Sequence, residues 1–211
     1  MNHTRPEKSG MYDPEFEHDS CGIGFVANIK GKKSQSIIER GLEVLERMTH
    51  RGAEGADNKT GDGAGIMLQI PHVYYHELIH ELPAAGEYGT GIVFFPGNLA
   101  SREMCRTEFE KVLSSEGLRV IAWRDVPVDN SVIGEIAKKS EPFSQQVFVE
   151  PDKTSAIPLE TRLFVARKLT ERVIRESSIE NKNLFYIVTL STRTIVYKGM
   201  LMPGQLRYYY Q

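Results

Sequence analysis

The irregular alternation of short apolar runs with helical apolar stripes limits the possible folds more than any other feature of this sequence. Helical spacing predicts five helices, at residues 34–48, 72–82, 101–115, 132–138 and from 159 through 173. Short β-branched or alternating runs predict seven strands, at residues 21–29, 66–70, 91–95, 118–123, 147–149, 183–190 and 194–197. The last two strands would form a hairpin. No repeat or linker divides the chain, so the pattern favours one α+β domain with helices packed on a pair of sheets.

Charge and composition argue against several classes of partner. Lys and Arg number 26 and Asp and Glu number 28, so the net charge of -2 gives no reason to expect nucleic acid or an anionic membrane. No apolar run is long enough to cross a bilayer, and the first residues lack the apolar core of a secretory signal. Two cysteines cannot build a disulfide framework. These features predict a soluble, cytoplasmic protein.

The position of Cys21 is unusual. Residues 1–20 are polar, contain two prolines and show no helical or strand period, so they are interpreted as a leader outside the core. The apolar run begins abruptly at Cys21. A lone cysteine is most often a small buried hydrophobic residue, and Cys105 on the apolar side of a predicted helix fits that description. Cys21 fits it less well, because it lies at the boundary between leader and core.

Two polar segments could also carry chemistry. Residues 50–57 read HRGAEGAD, and their ordinary interpretation is a helix end at which His50 and Arg51 complement the helix dipole. Residues 60–65 read TGDGAG, in which the glycines permit close approach of the backbone to a ligand. The spacing matches neither a phosphate-binding loop, nor a dinucleotide fingerprint, nor an EF-hand. Taken alone, this segment is an ordinary turn before a strand.

Together these segments resemble a known family. Residues 12–27, which read YDPEFEHDSCGIGFVA, are similar to the amino-terminal region of glutamate synthase large subunits. The segments HRGA at 50–53 and TGDGAGI at 60–66 follow at the spacing of that family, and YKGM at 197–200 also resembles it. The likeness runs from about residue 11 to residue 202. Long collinear motifs of this kind are far more specific than any single short motif.

The resemblance implies a fold and a nucleophile. The first domain of that family is a class II glutamine amidotransferase with the four-layer αββα fold of N-terminal-nucleophile (Ntn) hydrolases. Residues 1–20 would be a propeptide removed after Ser20, and residues 21–211 the amino-terminal part of the amidotransferase domain, with Cys21 as nucleophile. A thiol with a pKa near ~8.5 needs a base at neutral pH, and a free α-amine with a pKa near ~7.7–8.0 is suitable. The amide nitrogen of an internal Cys21 cannot accept that proton.

The resemblance also implies roles for other residues and a substrate. Arg51 would position or stabilise charge, although a dipole-complementing surface arginine remains the alternative. Gly52 would let the backbone turn close to Cys21, and Asp62 and Gly63 would be scaffold for the site. No metal site is expected. The substrate would be L-glutamine, hydrolysed through a thioester to glutamate and ammonia.

The rest of the family's reaction would take place elsewhere. Ammonia would pass to a synthase domain and aminate 2-oxoglutarate reductively. FMN and an iron–sulfur cluster are implied for those downstream domains and no cofactor for this one. A small subunit or ferredoxin would supply electrons, and the sequence does not indicate which. A plastid location would apply in a photosynthetic eukaryote.

The likeness ends before two elements of the family's site. The arginine loop that holds the glutamine carboxylate and the Asn-Gly pair of the oxyanion hole lie further downstream in the family. No Asn-Gly occurs here, and removing one oxyanion donor typically slows such reactions by ~10²–10³. The expectation is therefore a truncated domain with poor activity alone, or a split-subunit piece completed by another chain. Another class II amidotransferase, such as a phosphoribosyl-pyrophosphate amidotransferase, is the remaining alternative, which the residues before Cys21 and the 60–65 loop disfavour.

Overall fold

A computed structural model describes residues 22–211, so the predicted propeptide and Cys21 lie outside the described residues. Within this range the chain forms six α-helices and six strands, joined by loops and short 3₁₀ turns. The helices are α1 (Gln35–Arg47), α2 (His72–Leu78), α3 (Leu99–Ser115), α4 (Glu135–Lys139), α5 (Leu159–Glu176) and α6 (Leu206–Tyr209). The strands are β1 (Ala64–Gln69), β2 (Gly89–Phe95), β3 (Leu118–Asp125), β4 (Phe143–Pro151), β5 (Tyr186–Ile187) and β6 (Thr194–Gly199).

The strands form two antiparallel sheets. The larger has the order β3-β4-β2-β5, and the smaller is a ribbon of β1 and β6. Strand β4 lies between two partners, with Val147 opposite Gly91 on one side and Trp123 on the other. Helices and antiparallel strands share one mixed architecture, which confirms the predicted α+β class.

Helices α3 and α5 cover one face of the four-stranded sheet. Cys105 and Phe109 of α3 and Leu163 of α5 are buried against Val93 and Val147. Alternate residues of a strand point to opposite faces, so the neighbours of these strand residues serve a second core. Burial of such apolar side chains is the main stabilising contribution to this layer.

The second core lies on the opposite face of the same sheet. Ile92 and Phe148 of the sheet pack there with Tyr75 of α2 and Ile195 of β6. The order of layers is thus helices, four-stranded sheet, then ribbon. A third cluster, near α1, α4 and α6, includes Ile66 of β1.

The buried side of α5 differs from the prediction. Helical spacing from Leu159 predicts an apolar stripe that includes Leu169 and Val173, but these side chains are 38% and 37% exposed. Thr170, Ile174 and even Arg162 are buried instead. Arg162 tolerates burial because its guanidinium donates to the carbonyls of residues 116, 117 and 153. Saturated donors remove most of the penalty for a buried charge.

The predicted carboxy-terminal hairpin is wrong. β5 pairs with β2 in the large sheet, whereas β6 pairs with β1 in the ribbon. The chain changes sheets near Ser191, which exchanges two main-chain hydrogen bonds with Thr90. Glu160 fixes this crossing by accepting from the Ser191 hydroxyl and the Thr192 amide. The crossing uses the segment that was expected to be a hairpin turn.

The predicted strand at residues 21–29 is also wrong over its described part. Residues 22–28 have no regular secondary structure and pair with no strand of the described chain. Ile23 is 90% exposed and Phe25 is 91% exposed. Contact with the fold is made at Gly24, which lies against Val44 of α1. An apolar run becomes a strand only where a partner edge is available.

The other predicted elements are present with shifted ends. Helix α2 stops at Leu78 instead of residue 82, and β4 extends far beyond the predicted 147–149. None of the helices in residues 22–211 has the length and apolar character needed to cross a membrane.

Candidate active site

Two of the motifs close into one loop. The amide of Asp62 donates to the carbonyl of Ala53 at 3.2 Å, and the amide of Gly55 donates to the carbonyl of Thr60 at 2.7 Å. A Cβ placed on Gly52 would stand 3.3 Å from Oδ1 of Asp62. The 50–53 and 60–66 segments therefore meet across this loop, which we call the 52–62 loop.

The third motif lies beside the same loop. Strand β1 follows the loop and pairs with β6, so Ala64 is opposite Gly199 and Gly65 is opposite Lys198. A Cβ on Gly65 would come within 2.7 Å of the Lys198 Cβ. Glycine is required at this position because the two strands approach so closely. The YKGM segment and the TGDGAG segment are thus neighbours in space.

The structure describes some of the predicted site residues in full and others only in part. Gly52 faces Asp62, whose Oδ1 would be 3.3 Å from a Cβ added at Gly52, and Gly63 adopts a φ of +137°, which L-residues rarely adopt. Asp62 and Gly63 are both exposed. Arg51 ends a 3₁₀ turn directly after α1, and its side chain lies outside the described part of the chain.

Cys21 lies outside the described residues, but the segment that follows it is placed. Gly24 lies against Val44 and near Met48, at the end of α1 from which the turn to Arg51 departs. The Nδ1 atom of His50 is 3.1 Å from the carbonyl of Arg47, as expected for a histidine at a helix C-terminus. The motif that begins with Cys21 therefore continues beside the turn that carries Arg51.

Sequence reasoning missed Asp57, the residue that anchors the 52–62 loop. Its Oδ1 accepts the Thr60 amide at 2.8 Å, and its Oδ2 accepts the Thr60 hydroxyl at 2.7 Å and the Ile136 amide at 3.1 Å. The hydroxyl of buried Thr60 accepts the Ala137 amide in turn. Asp57 and Thr60 therefore cap the start of α4 from a distant part of the chain.

These bonds control the ionisation of Asp57. The Thr60 hydroxyl above all, with backbone amides in support, lowers the pKa of the Asp57 carboxyl well below its ordinary value. An aspartate followed by a threonine three residues later is a known local hydrogen-bonding pattern, which could have indicated the turn. The hydrogen bond to Ile136 joins residues 79 positions apart, and no local sequence pattern predicts it.

We expect Asp57→Asn to lower stability in a pH-dependent way. The amide cannot accept the Ile136 and Thr60 bonds at the nitrogen that replaces Oδ2. The folded-state pKa lies below the unfolded value of about 3.9, so the ionised carboxylate stabilises the fold at neutral pH. That contribution falls as pH drops below about 4 toward the folded-state pKa. The midpoint of urea unfolding should be lower for the variant at pH 7, and the gap should narrow below pH 4.

The exposed Asp152 provides the matched control, because its side chain accepts no hydrogen bond from the described residues. Asp152→Asn should change the midpoint little at pH 7. Equal midpoints for wild type and Asp57→Asn across this range would show that the carboxylate does not anchor the loop.

The described residues contain no group of three or more His, Cys, Asp or Glu side chains arranged to hold a metal ion. Cys105 is fully buried, and burial raises the pKa of its thiol to about 11. A thiol in that state is a poor nucleophile at neutral pH.

Comparison with known proteins defines the class. The family model of class II glutamine amidotransferases matches residues 21–211. The chain belongs to that family. It is 40% identical over 209 residues to the large chain of a glutamate synthase [NADPH] from Bacillus subtilis, covering 97% of this chain and 14% of the relative.

Other relatives carry related names. The chain is 39% identical to glutamate synthase [NADH] of Saccharomyces cerevisiae, covering 97% of this chain and 10% of the relative. It is 40% identical to the chloroplastic ferredoxin-dependent glutamate synthase of Oryza sativa subsp. japonica, covering 92% of this chain and 12% of the relative. The chain thus spans between 10% and 14% of the length of these three relatives.

Proposed function

We propose that this chain carries the glutaminase centre of a glutamate synthase, with Cys21 as the nucleophile that hydrolyses L-glutamine. The observation that carries the proposal is the convergence of three separate motifs on the 52–62 loop and the adjoining ribbon. Membership of the class II amidotransferases supports the chemistry. The similarity to glutamate synthase large chains supports this enzyme over a phosphoribosyl-pyrophosphate amidotransferase.

The proposed reaction begins with removal of residues 1–20. The freed α-amine of Cys21 takes the thiol proton, and the sulfur attacks the carbon of the glutamine side-chain amide. The resulting oxyanion collapses, the C–N bond breaks, and the α-ammonium protonates the leaving nitrogen to give ammonia. Water then attacks the γ-glutamyl thioester, which releases glutamate and returns the thiol. Every step is an acyl or proton transfer, and no electron is exchanged.

The remaining site residues would support this centre. Arg51 would hold substrate charge or position the nucleophile. Gly63 would allow the chain to turn with its positive φ, Gly52 would leave room for the Asp62 side chain, and the hydrogen bond from the Asp62 amide to the Ala53 carbonyl joins the two halves of the loop. These roles are positioning roles.

We propose that the complete domain has the four-layer αββα arrangement. Helices α3 and α5, the four-stranded sheet and the ribbon would be three of the four layers. Met67 is 67% exposed on the outer face of the ribbon. A fourth layer would pack on that face.

The proposed ammonia acceptor is 2-oxoglutarate, aminated reductively in other parts of a glutamate synthase. FMN and an iron–sulfur cluster would belong to those parts, and no residue of the described chain is assigned to hold them. The relatives are named for NADPH, NADH or ferredoxin, so the electron donor is left open. A cytoplasmic location is proposed, with a plastid as the alternative because the relative from Oryza sativa is named as chloroplastic.

The first test concerns the N-terminus. We expect the active form isolated from its native host to begin at Cys21, because only a terminal cysteine has the α-amine as a base. Intact mass and N-terminal sequencing would measure this. An engineered form that keeps residues 1–20 should release no more ammonia from glutamine than a Cys21→Ala form. Full activity with residues 1–20 still attached would refute the proposed role of the amine.

A further inference from the structure

The opposite end of the ribbon holds a basic cavity of about 290 Å³. Its walls come from the end of β1, the segment just before β6, the start of α2, the loop before β2 and the segment before α1. The charged or titratable side chains in the lining are Lys33, His72, Tyr88 and Arg193. No Asp or Glu contributes to the lining. We call this feature the basic pocket.

The basic pocket lies away from the 52–62 loop. The loop leads into the Ala64–Gly199 end of the ribbon, whereas the pocket is at the Gln69–Thr194 end. Six residues of strand separate the two ends by roughly 17 Å. A ligand in the pocket would therefore occupy a second site.

Two cations of the pocket, Lys33 and Arg193, have no carboxylate at ion-pairing distance. Neither Lys33 nor Arg193 forms an ion pair within 4 Å of a carboxylate among the side chains that the structure describes. The carboxylate of Glu160 lies outside the lining, where it attracts Arg193 electrostatically without forming an ion pair and accepts three hydrogen bonds from Ser191 and Thr192 at 2.6–2.7 Å. The guanidinium of Arg193 thus keeps its donors for another acceptor.

The pocket is also partly preorganised. The Lys33 ammonium donates to the carbonyl of Ile70, another lining residue, at 3.3 Å, which leaves two of its N–H groups for a ligand. Nδ1 of half-buried His72 is 3.3 Å from the hydroxyl of buried Tyr88. When the hydroxyl donates to Nδ1, the Nε2–H of the ring becomes a further donor. Burial raises the pKa of Tyr88 to about 12, so the phenol adds no negative charge at neutral pH.

We propose that the basic pocket binds a small oxyanion with two negative charges, a phosphate group or a short dicarboxylate. Two permanent cations match two charges, and a guanidinium suits the paired oxygens of carboxylate or phosphate. A cavity slightly below the usual ~300–1,000 Å³ of small-molecule sites limits the ligand to a few heavy atoms. The basic pocket does not include Cys21, so this proposal and the glutaminase proposal can be tested independently.

Isothermal titration calorimetry on the 1–211 chain tests this proposal, in a low-salt buffer whose anions are monovalent. The probes are inorganic phosphate, succinate and, as a monovalent comparison, acetate. Phosphate or succinate should bind with 1:1 stoichiometry, and acetate should bind at least about tenfold more weakly. Saturation by phosphate alone would assign a phosphate group, and saturation by succinate alone would assign a dicarboxylate.

Substitutions then locate the site. Arg193→Gln and Lys33→Gln should each weaken binding about tenfold or more, as expected for loss of a charge-assisted hydrogen bond. Both side chains are exposed, so the variants should fold. Lys33→Arg keeps the charge and should retain binding. Arg172→Gln removes an equally exposed charge from α5 and should leave the dissociation constant unchanged.

Three outcomes would overturn the proposal. One is that neither dianion binds to the wild type. Another is that Arg193→Gln and Lys33→Gln bind as tightly as wild type. The third is that Arg172→Gln weakens binding as much as they do, which would indicate a nonspecific charge effect.

Discussion

Cys21→Ala is expected to lower ammonia release from glutamine by a factor on the order of 10³ or more in the complete enzyme whose mature form begins at residue 21. The methyl group cannot form the γ-glutamyl thioester, and no other described thiol can replace it. Catalysis by the remaining site would be limited to binding and polarising the substrate amide. Ammonia release under saturating glutamine, measured with a coupled assay, gives the ratio directly.

Cys105→Ala is the matched control for this experiment. Cys105 is fully buried on α3, and burial raises the pKa of its thiol to about 11, so it holds almost no thiolate at neutral pH. Its replacement should leave ammonia release within a small factor of wild type at a modest cost in stability. Undiminished release by Cys21→Ala, or an equal loss in Cys105→Ala, would remove Cys21 from the reaction.

A glutamine analogue with an electrophilic γ-carbon gives an independent readout of the same prediction. It should add one mass equivalent to the form that begins at Cys21 and none to its Cys21→Ala counterpart. Peptide mapping should place the adduct on Cys21 and leave Cys105 unmodified. An adduct confined to Cys105 would contradict both the proposed nucleophile and the protection of the buried thiol.

Helical periodicity predicts the buried side of a helix correctly when apolar side chains alone decide which side is buried. The spacing of Cys105, Phe109 and Leu113 correctly predicts the buried side of α3. The same reasoning fails for α5, where Arg162 is buried because carbonyls about 45 residues away accept its hydrogen bonds. A helical pattern describes apolar side chains only, and it carries no information about a distant acceptor.

Strand pairing is the least predictable part of this fold. The runs that contain β5 and β6 are close in sequence and look like a hairpin, yet each finds its partner in a different sheet. The contacts that decide this pairing, including the Thr90–Ser191 bridge, join residues about 100 positions apart. The apolar run after Cys21 illustrates the converse, because Ile23 and Phe25 have strand character and no strand beside them in the described chain.

The sequence predicts which segments form the candidate site, but it does not predict how these segments are arranged in space. The motifs indicate that Gly52, Asp62 and Gly63 matter, and the structure brings these residues into one loop. The motifs do not predict the anchoring role of Asp57, because its carboxylate accepts a hydrogen bond from Ile136, which lies in no motif. The roles of Gly52, Asp62 and Gly63 in the site stay predictions, as do those of Cys21 and of the Arg51 side chain, which lie outside the described part.

Gly61→Ala should separate the 52–62 loop from the ribbon and lower the free energy of unfolding by roughly 1–3 kcal/mol. Gly61 is buried, and a Cβ at this position would overlap the carbonyl of Leu201, directly after the YKGM motif. That neighbour is main chain, so it cannot move aside as a flexible side chain could. Either the loop or the Leu201 segment must shift, and both border the candidate site.

Gly204→Ala is the matched control for the loop variant. Gly204 lies three residues after Leu201 and does not need a positive φ. A Cβ added to it would meet no heavy atom within 4 Å. Its replacement should be neutral or stabilise the fold by a few tenths of a kcal/mol, because alanine restricts the unfolded chain more than glycine. Urea unfolding of both variants and wild type would measure the difference. If the two alanines have the same effect, the close approach of Gly61 to Leu201 does not hold the loop against the ribbon, and the motifs do not share one rigid site.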